Sequence, residues 1–268
     1  ILMAHWIRVG FIHGVMNTDN LSIIGLTIDF GPYGWIDNFD PGWTPNTTDA
    51  QGKRYCYGRQ PDIGRWNMER LADALATILP NTKGLADAIA HFDNTYMKHL
   101  TQSLAGKFGL DGWQDSDGEM VNRIFELMSR AEVDMTLFFT KLAALDIADP
   151  SIAVISEAFY TEEGLKQFGD DVQQWLTTYA KRVQQSTLSA EARLDTMRTH
   201  NPRYVLRNYM AQEAIDLLTE KGDNSRLLTL LELLKNPYTK QEGMEQFEQK
   251  RPDWAREKAG CSMLSCSS

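Results

Sequence analysis

Residues 11–31 read FIHGVMNTDNLSIIGLTIDFG, and this stretch decides the fold. It closes on Asp29-Phe30-Gly31, preceded by two short β-rich runs, LSII and LTID, on either side of Gly25. That pattern predicts a small hairpin over 21–29. Before it stand His13-Gly14 and then Asp19-Asn20. Two carboxylates and an amide around one turn are what a site handling phosphate esters needs: a proton acceptor and hard oxygen ligands for a divalent ion. A plainer reading stays open, in which Asp19-Asn20 is a turn capping a strand and the Asp-Phe-Gly triplet is chance.

The whole chain sets bounds. Its 268 residues, 43% hydrophobic and 24% charged, are enough for one large core or two smaller ones. A net charge of -9 argues against a general nucleic-acid binder, which normally presents a basic face. No apolar run approaches the roughly 20 residues of a membrane span, and ILMAHWIRVGFIHG has neither the basic leader nor the cleavage site of a signal peptide. Three cysteines (Cys56, Cys261, Cys266) make no secreted disulfide scaffold, and the five histidines form no zinc pattern.

Texture divides the chain. Residues 1–12 have helical apolar spacing, and 30–65, rich in Pro, Gly, Asn and Asp, form a long irregular segment of the kind that carries function. Helical patterns dominate from Trp66. WNMERLADALATIL places Met68, Leu71, Leu75 and Ile78 on one stripe ended by Pro80. EMVNRIFELMSRA, VDMTLFFTKLAAL, YVLRNYMAQEAIDLL and SRLLTLLELLK repeat the pattern, and a long helix is predicted through EGLKQFGDDVQQWLTTYAKRVQQ. These stripes are read as core. Asp117, in DGWQDSDGEM, is read as a helix N-cap rather than a calcium ligand, and the charge-rich EGMEQFEQKRPDWAREK as a solvated face.

The opening stretch resembles the frame of kinase-like phosphotransferases, especially small-molecule kinases: His-Gly-Asp, an Asn, a hairpin, then Ile-Asp-Phe-Gly. Here the base position after Gly14 is Val15, while Asn20 and Asp29 stand at the positions of the metal ligands. Asp19 is the nearest carboxylate to take over as base. GVMNTDNLSIIGLTIDFGPYGWIDNFDP, YGRQPDIGRWNMERLADAL, NPRYVLRNYMAQEAI and a tail ending SCSS, in that order, are similar to the selenoprotein O family along essentially the whole chain.

That resemblance implies a kinase-like fold without the usual catalytic aspartate, transferring AMP from ATP to Ser, Thr or Tyr hydroxyls of protein substrates. Some bacterial members transfer UMP from UTP. It makes Asp19 the proton acceptor and Asn20 and Asp29 the ligands of Mg2+ or Mn2+, Asp29 also reaching the nucleotide through the metal. Cys266 stands where some members carry selenocysteine, and a Cys56–Cys266 disulfide that gates activity is one reading beside three free thiols. The frame lacks a Gly-rich phosphate loop and a strand lysine paired with a helix glutamate, which in the family lie N-terminal to the motif. The expected architecture is therefore mainly α: the helical C-terminal lobe of a kinase-like fold, with 1–65 holding the catalytic loop, a small β-hairpin carrying the metal site and the segment after it. Residues 66–260 form the helical body, 261–268 a mobile cysteine-containing tail, and the N-terminal lobe is absent. By itself this chain is expected to bind nucleotide poorly and transfer little. A monomer is expected, cytoplasmic for a bacterial-type member and mitochondrial for a eukaryotic one. A non-catalytic scaffold and a true kinase using Asp19 remain alternatives.

Overall fold

A computed structural model describes residues 1–261 and Leu264. The chain is mainly helical. Helix α1 (Leu2–Val9) leads into strand β1 (Phe11–Ile12), which pairs antiparallel with β2 (Gly34–Trp35), Phe11 opposite Trp35 and Ile12 opposite Gly34. Then follow α2 (Gln60–Ala76), α3 (Lys83–Lys107), α4 (Asp117–Arg130), α5 (Met135–Leu142), α6 (Glu162–Gln184), α7 (Ala190–His200), α8 (Asn208–Lys221) and α9 (Ser225–Lys235). Helix α1 buries Met3, Ala4 and Trp6 and stops at Gly10, whose φ of 77° is left-handed. A Cβ there would lie 2.8 Å from Ile36 Cγ2, so only glycine lets the chain turn so close to β2.

The main core lies among α4, α5, α6 and the end of α3. Trp175 and Tyr179, one turn apart on α6, stack with centroids 5.2 Å apart, and both lie against Phe108. Each polar tip has an acceptor: Trp175 Nε1 donates to Met120 O and Tyr179 Oη to Phe108 O. Burial of such rings is favourable only when their N–H and O–H groups are paired. A second cluster joins α8 and α9 to Tyr204, Phe247, Ala255 and Cys261. A third, Met3, Trp6, Phe11, Met16 and Ile63, packs α1 and β1 on α2 and so fixes the start of the 11–31 stretch.

One buried ion cluster ties distant parts together. The Arg207 guanidinium, immediately before α8, bonds both carboxylate oxygens of Asp134 and one of Asp37. Asp134 also caps α5, accepting from Leu137 N, and takes a hydrogen bond from Tyr160 Oη. Burial lowers the tendency of any guanidinium to stay charged, but Asp134 and Asp37 hold Arg207 well above its ordinary pKa. Arg251, 3.6 Å from Asp37, brings the C-terminal segment to the same cluster.

The structure corrects several expectations. Residues 21–29 hold a turn at Gly25 and a single antiparallel bridge, Leu21–Thr27, rather than a full hairpin, and the only ladder among the described residues is β1–β2. Among the described residues no further strand flanks that bridge, and Ile23, Ile24 and Leu26 are exposed. The Met68–Ile78 stripe is not core: Met68, Leu71 and Leu75 are half-buried and Ile78 is exposed, because the C-terminal half of α2 meets chiefly α3. On α8 and α9, Ile215, Leu218, Leu227, Leu228 and Leu231 are likewise exposed. The N-cap of α4 is Ser116; Asp117 is a buried partner of Arg182. The stretch 242–258 is largely exposed, as a solvated face would be, but it is also anchored as a strap: Phe247 and Ala255 are buried, and Lys250, Arg251 and Arg256 surround the Tyr160 ring. Helices α3 and α7 were not foreseen. Among the described residues no helix is long and apolar enough to cross a membrane.

Two outcomes follow from the buried charges. Arg207→Ala leaves buried Asp134 without its cation and Asp37 with only the more distant Arg251, and should lower the unfolding free energy by about 3–5 kcal/mol in urea titrations, with Arg207→Lys restoring only part. Lys107 is also buried; its Nζ donates to Arg8 O and Asn201 Oδ1, two acceptors that match the two N–H groups of a neutral amine. Burial, aided by the Arg8 charge, pushes its pKa well below the usual lysine range. The unfolded chain therefore binds the extra proton, so stability should rise with pH between the depressed folded value and the ordinary one. Lys107→Met should flatten that rise by up to about 1.4 kcal/mol per pH unit.

Candidate active site

The site is built on a backbone held by buried amides. Gln60, the first residue of α2 and fully buried, donates through Nε2 to Phe11 O and accepts from His13 N at Oε1. Two turns along the same face, Asn67 Nδ2 donates to Met16 O. Asn46 Nδ2, from the irregular segment, donates to Gly14 O, and Asn20 Nδ2 to Val15 O. Carbonyls and N–H groups of a buried loop must find partners, and here side-chain amides supply them where no sheet does.

His13 and Gly14 then join this loop to the Asp29 turn. His13 Nε2 lies 2.7 Å from Ile28 O; a carbonyl can only accept, so Nε2 carries the hydrogen, and Nδ1 faces Val15 N at 3.4 Å. Gly14 has φ 78°, and a Cβ on it would meet Pro32 O at 2.4 Å. The His-Gly pair thus serves as a clamp between residues 13–16 and 28–32. Asp29 itself sits at φ 56°, a region that Asp tolerates better than most residues, and its carbonyl accepts from Gly31 N.

The sequence-predicted residues fall as follows. Asp19 and Asn20 lie on one helical turn, Thr18–Asn20, directly after the amide-held loop. Asp19 and Asp29 are exposed, and neither carboxylate has a hydrogen bond or ion pair among the described residues. Asn20 commits its Nδ2 to Val15 O, and its Oδ1 has no hydrogen bond among the described residues. No group of three or more His, Cys, Asp or Glu side chains gathers among the described residues, so any cation here would draw on few protein ligands. Phe30 is exposed and meets Tyr33 edge-on at 5.4 Å. Cys56 is buried, and Cys266 lies outside the described residues. Leu264 pairs with the segment after the site, its N–H on Pro45 O and its carbonyl taking Thr47 N.

Gln60, Asn67 and Asn46 were missed in the sequence. The signal was present for two of them: Gln60, Ile63, Gly64 and Asn67 recur at helical spacing on the buried face of α2, so two amides stand where an apolar stripe is expected. If His13 is the clamp, His13→Phe keeps the ring volume but loses the bond to Ile28. Hydrogen exchange at the Gly31 and Tyr33 amides should then quicken by tenfold or more, while global stability changes by only about 1 kcal/mol.

A family model described as "Protein adenylyltransferase SelO" matches residues 1–235. The chain is 54% identical over 267 residues to a Tolumonas auensis protein named "Protein nucleotidyltransferase YdiU", covering all of this chain and 51% of that protein. A protein of the same name from Methylobacillus flagellatus is 52% identical over 267 residues, again with 51% of its length covered. Another from Xanthomonas axonopodis pv. citri is 51% identical over 268 residues, with 52% of its length covered. The chain spans about half the length of the curated relatives it matches. A match over most of its residues, with half of them identical in each relative, shows that the chain belongs to the SelO protein adenylyltransferase family.

Proposed function

We propose that these residues form the helical C-terminal lobe of a kinase-like protein nucleotidyltransferase that moves AMP from ATP onto Ser, Thr or Tyr hydroxyls, working in the cytoplasm. The observation that carries the reading is the His13–Ile28 bond: it closes the Asp19-Asn20 loop onto the Asp29 turn in a chain of this family. Asp19, exposed and without a competing partner, takes the proton of the acceptor hydroxyl. The freed oxygen attacks the α-phosphorus, and the bond to the β-phosphate oxygen breaks, releasing pyrophosphate. Attack at the γ-phosphorus would instead make a kinase; the family match favours the α-phosphorus.

A divalent cation suits the residues present. Mg2+ typically takes one or two protein carboxylates and completes its shell with water and phosphate oxygens. Asn20 Oδ1 and the Asp29 carboxylate would hold Mg2+ or Mn2+, which supplies charge neutralisation on the triphosphate. Asp29 thereby also positions the nucleotide. Asp19 stays off the metal to keep its proton-accepting role. The relatives' name, nucleotidyltransferase, also covers UMP transfer from UTP, and the same residues serve it equally well.

The test is intact mass of an acceptor protein incubated with the full-length protein, Mg2+ or Mn2+, and ATP or UTP. Gain of a nucleoside monophosphate is expected; gain of a phosphate, or of nothing, refutes the reading. Asp19→Ala should lower kcat by about 10²–10⁴-fold. Asn20→Ala and Asp29→Ala should also abolish transfer at ordinary metal concentration, with Asn20→Ala partly recovering as metal is raised.

A further inference from the structure

Arg54 is the one arginine among the described residues whose guanidinium makes no hydrogen bond and no ion pair. We infer that it anchors a docking surface for acidic side chains of the acceptor polypeptide, formed with Lys53 and Arg59 on the loop beside the Asp19 turn. This assignment rests on the transferase reading above and adds to it a rule of acceptor choice.

The loop is built to hold that guanidinium in place. Asp49 is buried, and its two carboxylate oxygens accept from Arg54 N and Tyr55 N, while its carbonyl takes Lys53 N. Arg59 Nη1 reaches Gly52 O and Lys53 O at 3.4 and 3.5 Å, so its charge lies against the same loop. The Arg54 guanidinium sits 4.6 Å from the centre of the Trp66 ring and 5.6 Å from that of Tyr55, and Arg70 is 5.6 Å from Trp66 as well. Ring contacts orient a guanidinium without supplying the oxygen acceptors that its five N–H groups bind best, a carboxylate above all.

Charge names the partner. The chain as a whole is acidic, at -9, yet Lys53, Arg54 and Arg59 are exposed and make no ion pair among the described residues. The carboxylates near them are occupied: Asp49 by backbone N–H groups, Asp40 Oδ1 by Gly42 N, and Asp73 by Arg70. Surplus carboxylates over the rest of the surface repel an acidic polypeptide, so such a partner is steered to this loop.

Position ties the loop to the reaction. Tyr55 Oη donates to Asn17 Oδ1, two residues before Asp19. Adding the chain and side-chain lengths along that link puts Arg54 within on the order of 20 Å of Asp19, about six residues of extended polypeptide. An acceptor whose hydroxyl meets Asp19 can therefore reach this loop with residues on one side of that hydroxyl. The nucleotide's phosphates are the other anions at hand. In the reading above they are served by the divalent cation at Asn20 and Asp29, whereas cations strung along an exposed loop match carboxylates strung along a peptide.

The experiment uses the full-length protein and labelled peptides holding one serine with a run of Asp, Asn or Lys on either side of it. Binding is read first, by fluorescence anisotropy, because it needs no turnover. Wild type should bind the Asp peptides about tenfold more tightly than the Lys peptides, the sum of a few exposed ion pairs, and salt should erase the difference. Arg54→Gln, which keeps a planar group over Trp66, should cut the preference about threefold, and Lys53→Glu combined with Arg54→Glu should invert it. In transfer with ATP and Mg2+ or Mn2+, the same order should appear in KM for the peptide. No preference in wild type overturns the docking surface, as does a preference undiminished in Arg54→Gln or surviving the double reversal in a protein that melts like wild type. A rise in KM for ATP of equal size with every peptide assigns Arg54 to the nucleotide and overturns it too. A preference that inverts as expected, with no transfer by wild type to any acceptor, keeps the acidic-peptide surface and removes the transferase reading alone.

Discussion

Arg207 is the residue on which the arrangement of the chain depends. Its guanidinium joins Asp37, just past β2, to Asp134 at the head of α5, and it stands at the entrance of α8. Without that fork the segment leaving the site, the central helix pair and the C-terminal helices have little reason to keep one registry. A planar cation with five donors suits the place: two carboxylates bind it from different directions, and burial makes every missing bond costly. Tyr160 and Arg251 extend the cluster to the strap that crosses the body.

The site uses the opposite device, neutral amides rather than charges. Gln60, Asn46 and Asn67 hold the backbone of 11–16 without adding a net charge. His13 passes that order to the Asp29 turn. The carboxylates left over, Asp19 and Asp29, are exposed and have no hydrogen bond or ion pair among the described residues.

Much of this was legible in the sequence. The His-Gly and Asp-Phe-Gly letters marked two turns that the His13–Ile28 bond joins, and the 3.6-residue periods found α4, α5, α6, α8 and α9, with α9 matching SRLLTLLELLK end to end. What failed did so for physical reasons. Helix α3 carries a weak apolar stripe, much of it exposed, so periodicity had little to detect. The predicted hairpin had the β-branched composition of a strand pair but, among the described residues, lacks a neighbour to extend its ladder. The stripe on α2 was real, yet a helix buries its apolar face only where something lies against it, and beyond Leu71 little does. Long-range partners such as Asp37 and Arg207 leave no local trace at all.

The bond pair made by Gln60 restricts which residues can occupy that place over evolutionary time. Its amide must give a hydrogen to the Phe11 carbonyl and receive one from the His13 N–H two residues on, in a space closed to water. Glutamate can receive but not give when ionised, lysine can give but not receive, and asparagine falls one methylene short. Position 60 is thus nearly locked to a single amino acid by stereochemistry alone, although its side chain is fully buried.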